Sequence, residues 1–121
     1  MSRFFGWAPP TSDDSGPLRG YAGSRGHITA PAFVARSQDE AASIPVGHVL
    51  VTVTTTPSWT PLFGVAAAVV TETGGPLSHC AIVAREYGIP AVVGVRGATN
   101  RIETGQLIQV DGTAGEVTLL S

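Results

Sequence analysis

Three short runs of apolar residues, separated by stretches of helical character, constrain this chain more than any other feature. They are Val49-Leu50-Val51-Thr52-Val53, Ala66 to Thr71, and Ala91-Val92-Val93. None alternates apolar with polar, so each reads as a strand covered on both faces. Between the first two, Ser58 to Phe63 is short and could form a helical turn. Between the last two, His79 to Tyr87 reads as a helix: Ile82 and Val83 sit together, and Gly88 followed by Pro90 stops it. Strands alternating with helical segments predict parallel pairing through right-handed crossovers. Further on, Leu107 to Val110 and Glu116 to Leu120 flank Asp111-Gly112-Thr113-Ala114-Gly115, the turn of a hairpin.

Upstream, His27 to Arg36 reads as a first strand, and Pro31 argues for an edge position because it cannot donate to a ladder. Ser37 to Ser43 reads as a short helical turn, with Ser37 as its cap and Asp39 and Glu40 near its positive end. The fold class is therefore α/β with a mixed sheet and no internal repeat. The 121 residues suit one domain. Residues 1 to 17 are rich in Pro, Ser, Asp and Gly and are expected to be a flexible tail, with the domain spanning 18–121.

Charge narrows the partners. The net charge is −2, and the seven basic residues are all Arg and scattered, which argues against nucleic acid or an anionic membrane surface. No run approaches the roughly 20 apolar residues of a membrane span, and the N-terminus lacks the apolar core of a signal peptide. The single Cys80 excludes an internal disulfide and suits a reducing compartment. A cytoplasmic location is expected.

The segment with chemical character is Thr71-Glu72-Thr73-Gly74-Gly75-Pro76-Leu77-Ser78-His79. It leaves a buried strand, passes two glycines and enters a helix with a histidine in its first turn. A helix N-terminus presents unpaired N–H groups and partial positive charge, which favour an anion such as phosphate. The same potential disfavours the imidazolium, and a neutral ring keeps one nitrogen lone pair for nucleophilic attack. Gly74 and Gly75 let the backbone approach a bulky partner. No second acid or base lies close in sequence, which suits a carrier, because positioning and electrostatics dominate phosphoryl transfer. A histidine in this position is also commonly a capping or surface residue. His27 and His48 open strand-like runs and read as surface or strand-edge positions; their spacing to His79 matches no zinc pattern. Trp59 is open to two readings, packing over the loop or docking a partner. Thr54-Thr55-Thr56 reads as a strand end. Cys80 reads as a small packing residue.

From Gly74 through His79-Cys80-Ala81-Ile82-Val83-Ala84-Arg85 to Gly88-Ile89-Pro90-Ala91-Val92-Val93-Gly94, the sequence resembles the phosphohistidine segment of the phosphoenolpyruvate-utilising enzymes. Asp111 to Val117 is similar to that family's closing hairpin, and Pro57-Ser58-Trp59-Thr60-Pro61-Leu62 is similar to the synthase and rifampicin branch. The resemblance implies a single swivelling β/β/α phosphohistidine domain. His79 would be the residue that is phosphorylated, and Gly74, Gly75 and Ser78 would shape the loop or support the phosphate. Arg85 matches the motif's arginine, and its place in the last helical turn is explained by the helix dipole. Leu77 departs from the threonine that many members carry two residues before the histidine, and in this is similar to the rifampicin branch.

The resemblance also implies a partner. The chain has no glycine-rich phosphate loop with a lysine and no carboxylate cluster for Mg²⁺. No cofactor or metal is expected on this chain. ATP or phosphoenolpyruvate with Mg²⁺ would sit on a nucleotide-grasp or phosphoenolpyruvate-binding partner, and this chain would be the phosphoryl carrier of a phosphotransferase. The alternative is a non-catalytic docking or regulatory module of the same fold.

Overall fold

A computed structural model describes residues 17–120. The expected tail, residues 1 to 17, lies almost wholly outside the described residues. Eight strands form one mixed sheet in the order β1-β8-β7-β3-β4-β5-β6-β2. They are β1 (Leu18–Arg19), β2 (Tyr21–Ser24), β3 (His27–Val34), β4 (Val49–Thr52), β5 (Ala68–Thr71), β6 (Ala91–Val93), β7 (Leu107–Asp111) and β8 (Glu116–Leu119). Three helices, α1 (Gln38–Ala41), α2 (His79–Tyr87) and α3 (Ala98–Arg101), and a 3₁₀ helix, Pro57–Gly64, complete the described chain.

The apolar runs are the parallel centre of the sheet. Strands β3 with β4, β4 with β5, and β5 with β6 all pair in parallel, as their alternation with helical segments predicts. Their unbroken apolar character has a direct cause: each strand feeds two cores. Val49, Val51, Ala68, Val70 and Val92 point into one core with Ile108, Val110 and Val117 of the hairpin. Leu50, Val69, Ala91 and Val93 point the other way, under Phe63, Trp59 and the inner face of α2. A fully buried side chain of this kind stabilises by about 1.5–3 kcal/mol, so both faces resist a polar residue.

The hairpin β7–β8 forms as expected, with the turn between Asp111 and Glu116. Asp111 Oδ1 accepts from the amides of Thr113 and Ala114, both at 3.0 Å, which is how aspartate stabilises a turn.

Pro31 is not at an edge. β3 runs between β7 and β4, and Pro31 sits where its pairing changes hands. It faces Leu107 in the β7 ladder, and pairing with β4 begins only at Ala32. Ala32 donates to Gln106 on the β7 side, so the proline nitrogen faces the β4 side, just before that strand begins. The missing donor therefore interrupts no ladder.

Sequence patterning did not predict β1 and β2. They follow one another through Gly20 alone yet lie at opposite ends of the strand order, β1 on β8 and β2 on β6, both antiparallel. This short segment bends the sheet nearly closed. Close backbone contact permits it: a Cβ on Gly112 would lie 1.8 Å from the Ser24 carbonyl oxygen, so only glycine fits there.

Candidate functional site

The site is built where β5 ends and α2 begins. Leaving β5, the chain is tied down on three sides. Thr73 bonds Val53 through its amide at 3.1 Å and its hydroxyl at 3.2 Å. Glu72 Oε2 accepts from the amide of Thr99 at 2.8 Å and from the Thr99 hydroxyl, joining the loop to α3. Arg85 donates from Nη2 to the Pro76 carbonyl, latching the helix back onto the loop that precedes it.

Gly74 turns this loop with φ 100°, in the left-handed region, and a Cβ there would lie 2.9 Å from Ser78 Cβ. Glycine is required twice over, by conformation and by contact. Gly75 has neither constraint, with open space where a Cβ would sit. Ser78 is the N-cap of α2, with extended backbone, and its Oγ accepts from the Ala81 amide at 3.4 Å. Ile82 donates to the Ser78 carbonyl. The amides of His79 and Cys80 have no acceptor among the described residues, so the helix offers two free donors beside the histidine ring.

His79 is partly buried. Its Nδ1 lies 3.1 Å from Thr55 Oγ1. Its ring meets the buried Phe63 edge-on, with centroids 6.4 Å apart and planes at 81°, a favoured aromatic arrangement. Thr55 comes from the segment after β4 and is only 8% exposed. Reading it as an ordinary strand end missed this contact. The signal in the sequence is faint: three consecutive threonines, none marked apart from the others.

Thr55 also reaches Cys80. Burial pushes the Cys80 thiol up to about 12, against the smaller opposing pull of hydrogen bonds from Thr71 and Thr55. Cys80 is 4% exposed, so its thiol is a packing group, as the sequence reading holds, and the helix N-terminus does not activate it. The Thr55 hydroxyl can accept from His79 Nδ1–H or donate to a bare Nδ1. The first of these has the proton on Nδ1 and the lone pair on Nε2.

The remaining sequence candidates scatter. Trp59 is buried at 7% exposure against the inner face of α2, which decides for packing. His27 is exposed on β3, opposite Asp111 in the β7 ladder. His48 precedes β4, and its Nδ1 is buried without a partner among the described residues. Neither approaches His79 in any contact of the described residues. Leu77 stands 83% exposed beside the histidine.

The family model described as PEP-utilising enzyme, mobile domain, matches residues 44–115. The chain is 50% identical to chondramide synthase cmdD of Chondromyces crocatus over 119 residues, which cover 98% of this chain and 3% of that protein. It is 49% identical to a rifampicin phosphotransferase of Streptomyces sviceus over 106 residues, 88% of this chain and 12% of that protein. It thus spans a small fraction of the length of either relative. A solution structure of an Enzyme I protein is similar with a TM-score of 0.58 at 34% identity, over 65% of this chain and 33% of that one.

Proposed function

The chain belongs to the phosphoenolpyruvate-utilising enzymes as their mobile domain, and on that premise we propose that His79 is the residue that carries the phosphoryl group. The observation that supports this most is the pinned ring: Thr55 holds Nδ1 at 3.1 Å and Phe63 abuts the ring edge-on. Nε2 is then the free nucleophile, next to the unpaired amides of His79 and Cys80.

In the proposed step the Nε2 lone pair attacks phosphorus. The N–P bond forms as the P–O bond to the donor's leaving oxygen breaks. The ring keeps its proton on Nδ1 and becomes cationic, and Thr55 Oγ1 accepts that N–H. A cationic ring keeps the phosphoryl group labile, which suits a carrier that must hand it on. The amides at the α2 N-terminus face the phosphoryl oxygens. Gly74 and Ser78 hold the loop in shape, and the open space at Gly75 leaves room for an approaching partner surface.

The donor, ATP or phosphoenolpyruvate with Mg²⁺, is bound by a companion nucleotide-grasp or phosphoenolpyruvate site, and the carrier comprises residues 18–121. The exposed Leu77 favours a second contribution, apolar docking against that companion. A module that only docked would bind it and never carry phosphate.

The test is intact-mass measurement of the protein after incubation with an extract of the organism that makes it, Mg²⁺, and either ATP or phosphoenolpyruvate. One acid-labile, alkali-stable phosphoryl group is expected, absent from a folded His79→Ala variant. A phosphoryl group retained by His79→Ala, or a companion complex that forms without any phosphorylation, would overturn the assignment.

A further inference from the structure

A second place on the surface combines a recess with unneutralised charge. It lies at the C-terminal end of α2, between the turn after β2 and the β7–β8 hairpin, with a volume of about 600 Å³. Ser24, Arg25, Arg85, Gly88, Gly112 and Thr113 contribute to its walls. Both arginines are exposed, and neither forms an ion pair among the described residues. Arg25 makes no hydrogen bond among them, and Arg85 spends one donor on the Pro76 carbonyl. A guanidinium carries five N–H donors in a planar fork that matches phosphate oxygens, so both retain donors for a ligand.

Some of the acceptors near this recess are already engaged. The Asp111 carboxylate is turned to the Thr113 and Ala114 amides. In the last turn of α2 the carbonyls of Ala84 and Arg85 accept from Gly88 and Ile89, and those of Glu86 and Tyr87 have no donor among the described residues. Donors remain on the other side. The Thr113 hydroxyl accepts from the Gly26 amide at 2.9 Å and keeps its own proton to give. Ser24 is 7% exposed, and its hydroxyl has no partner among the described residues. Gly88 and Gly112 put no side chain into the space.

We propose that this recess is a binding site for a phosphate group, free or as an ester, gripped by Arg25 and Arg85. None of Gly74–Cys80 lines it, and it does not depend on His79 chemistry. It is linked to the loop all the same: the guanidinium that would hold the ligand also holds Pro76, three residues before His79.

Amide NMR titration of the His79→Ala protein with inorganic phosphate, glycerol phosphate and acetate tests this, because that variant removes the phosphorylatable ring. Saturable shifts are expected at Gly88, Gly112 and Thr113, with a smaller one at Leu77. Arg25→Gln and Arg85→Gln should each weaken binding about tenfold, the loss of a charge-assisted contact, while Arg101→Gln should leave it unchanged. Tighter binding of glycerol phosphate would mark an ester as the ligand, and equal binding would mark the phosphate group alone. Acetate binding as tightly as phosphate, equal affinity in Arg25→Gln, or shifts confined to Ser78–Ala81 would overturn the proposal.

Discussion

In the proposed step the Thr55 hydroxyl accepts from Nδ1–H of His79, which leaves Nε2 free. Thr55→Val keeps the side chain's shape and deletes the acceptor, and phosphorylation of His79 is expected to slow about tenfold, the worth of one such bond. Thr55→Ser should recover most of the rate; initial rates of phosphohistidine formation check both, and an unchanged rate in Thr55→Val would refute the role. Cys80 gives a prediction with a sign. Its folded-state thiol sits at about 12, above the roughly 8.5 of a free cysteine, so the folded state holds the proton more tightly than the unfolded chain. That contribution is intact below the unfolded value and is lost as pH rises through the window up to about 12. Urea unfolding should show the wild type losing about 1–2 kcal/mol more than Cys80→Ala between pH 8 and pH 10. The glycine loop and the start of α2 at His79 were legible in the sequence because loop and helix are consecutive there. Thr55 was not, because it lies 24 residues from its partner and only the crossover between β4 and β5 brings the two together.

At the scale of elements, the loop and α2 act as one unit, and its two glycines should behave differently. Gly74→Ala places a Cβ against Ser78 in a left-handed conformation, and a cost of about 1–3 kcal/mol is expected. Gly75→Ala meets nothing within 4 Å and should be nearly neutral in thermal unfolding. Equal effects would mean that the loop geometry is different. Ser78→Ala should cost about 1 kcal/mol through loss of the cap. The parallel strands and α2 could be read from the sequence because burial on both faces and the Gly88-Pro90 stop leave clear marks. β1, β2 and α3 could not. β1 is two residues long and β2 holds Gly23 and Ser24, so neither forms an apolar run, and α3 is one turn held by Glu72. Pro31 misled because a ladder can change partners in mid-strand, and a proline at the change costs no hydrogen bond.

The described residues form a nearly closed sheet, with α2 packed on one face and His79 at its start. Closure depends on the 18–24 segment packing on the hairpin, so Gly112→Ala, which drives a Cβ into the Ser24 carbonyl, is expected to lose at least about 2 kcal/mol of stability by overpacking. A wild-type melting curve for that variant would show that closure is looser than described. Closure could not be read from the sequence, since it is a property of backbone approach and leaves no periodicity. Its consequence for function is rigidity: Thr55, Phe63 and α2 come from separate segments and meet around His79 only because the closed sheet fixes them. The central claim is that this frame presents Nε2 of His79, with the Nδ1 proton held by Thr55, to accept a phosphoryl group. Long-range ¹H–¹⁵N and ³¹P correlation spectra of the phosphorylated, ¹⁵N-histidine-labelled protein test it most directly. The account predicts phosphorus on Nε2 of His79 with Nδ1 still protonated; phosphorus on Nδ1, or on any other residue, would contradict it.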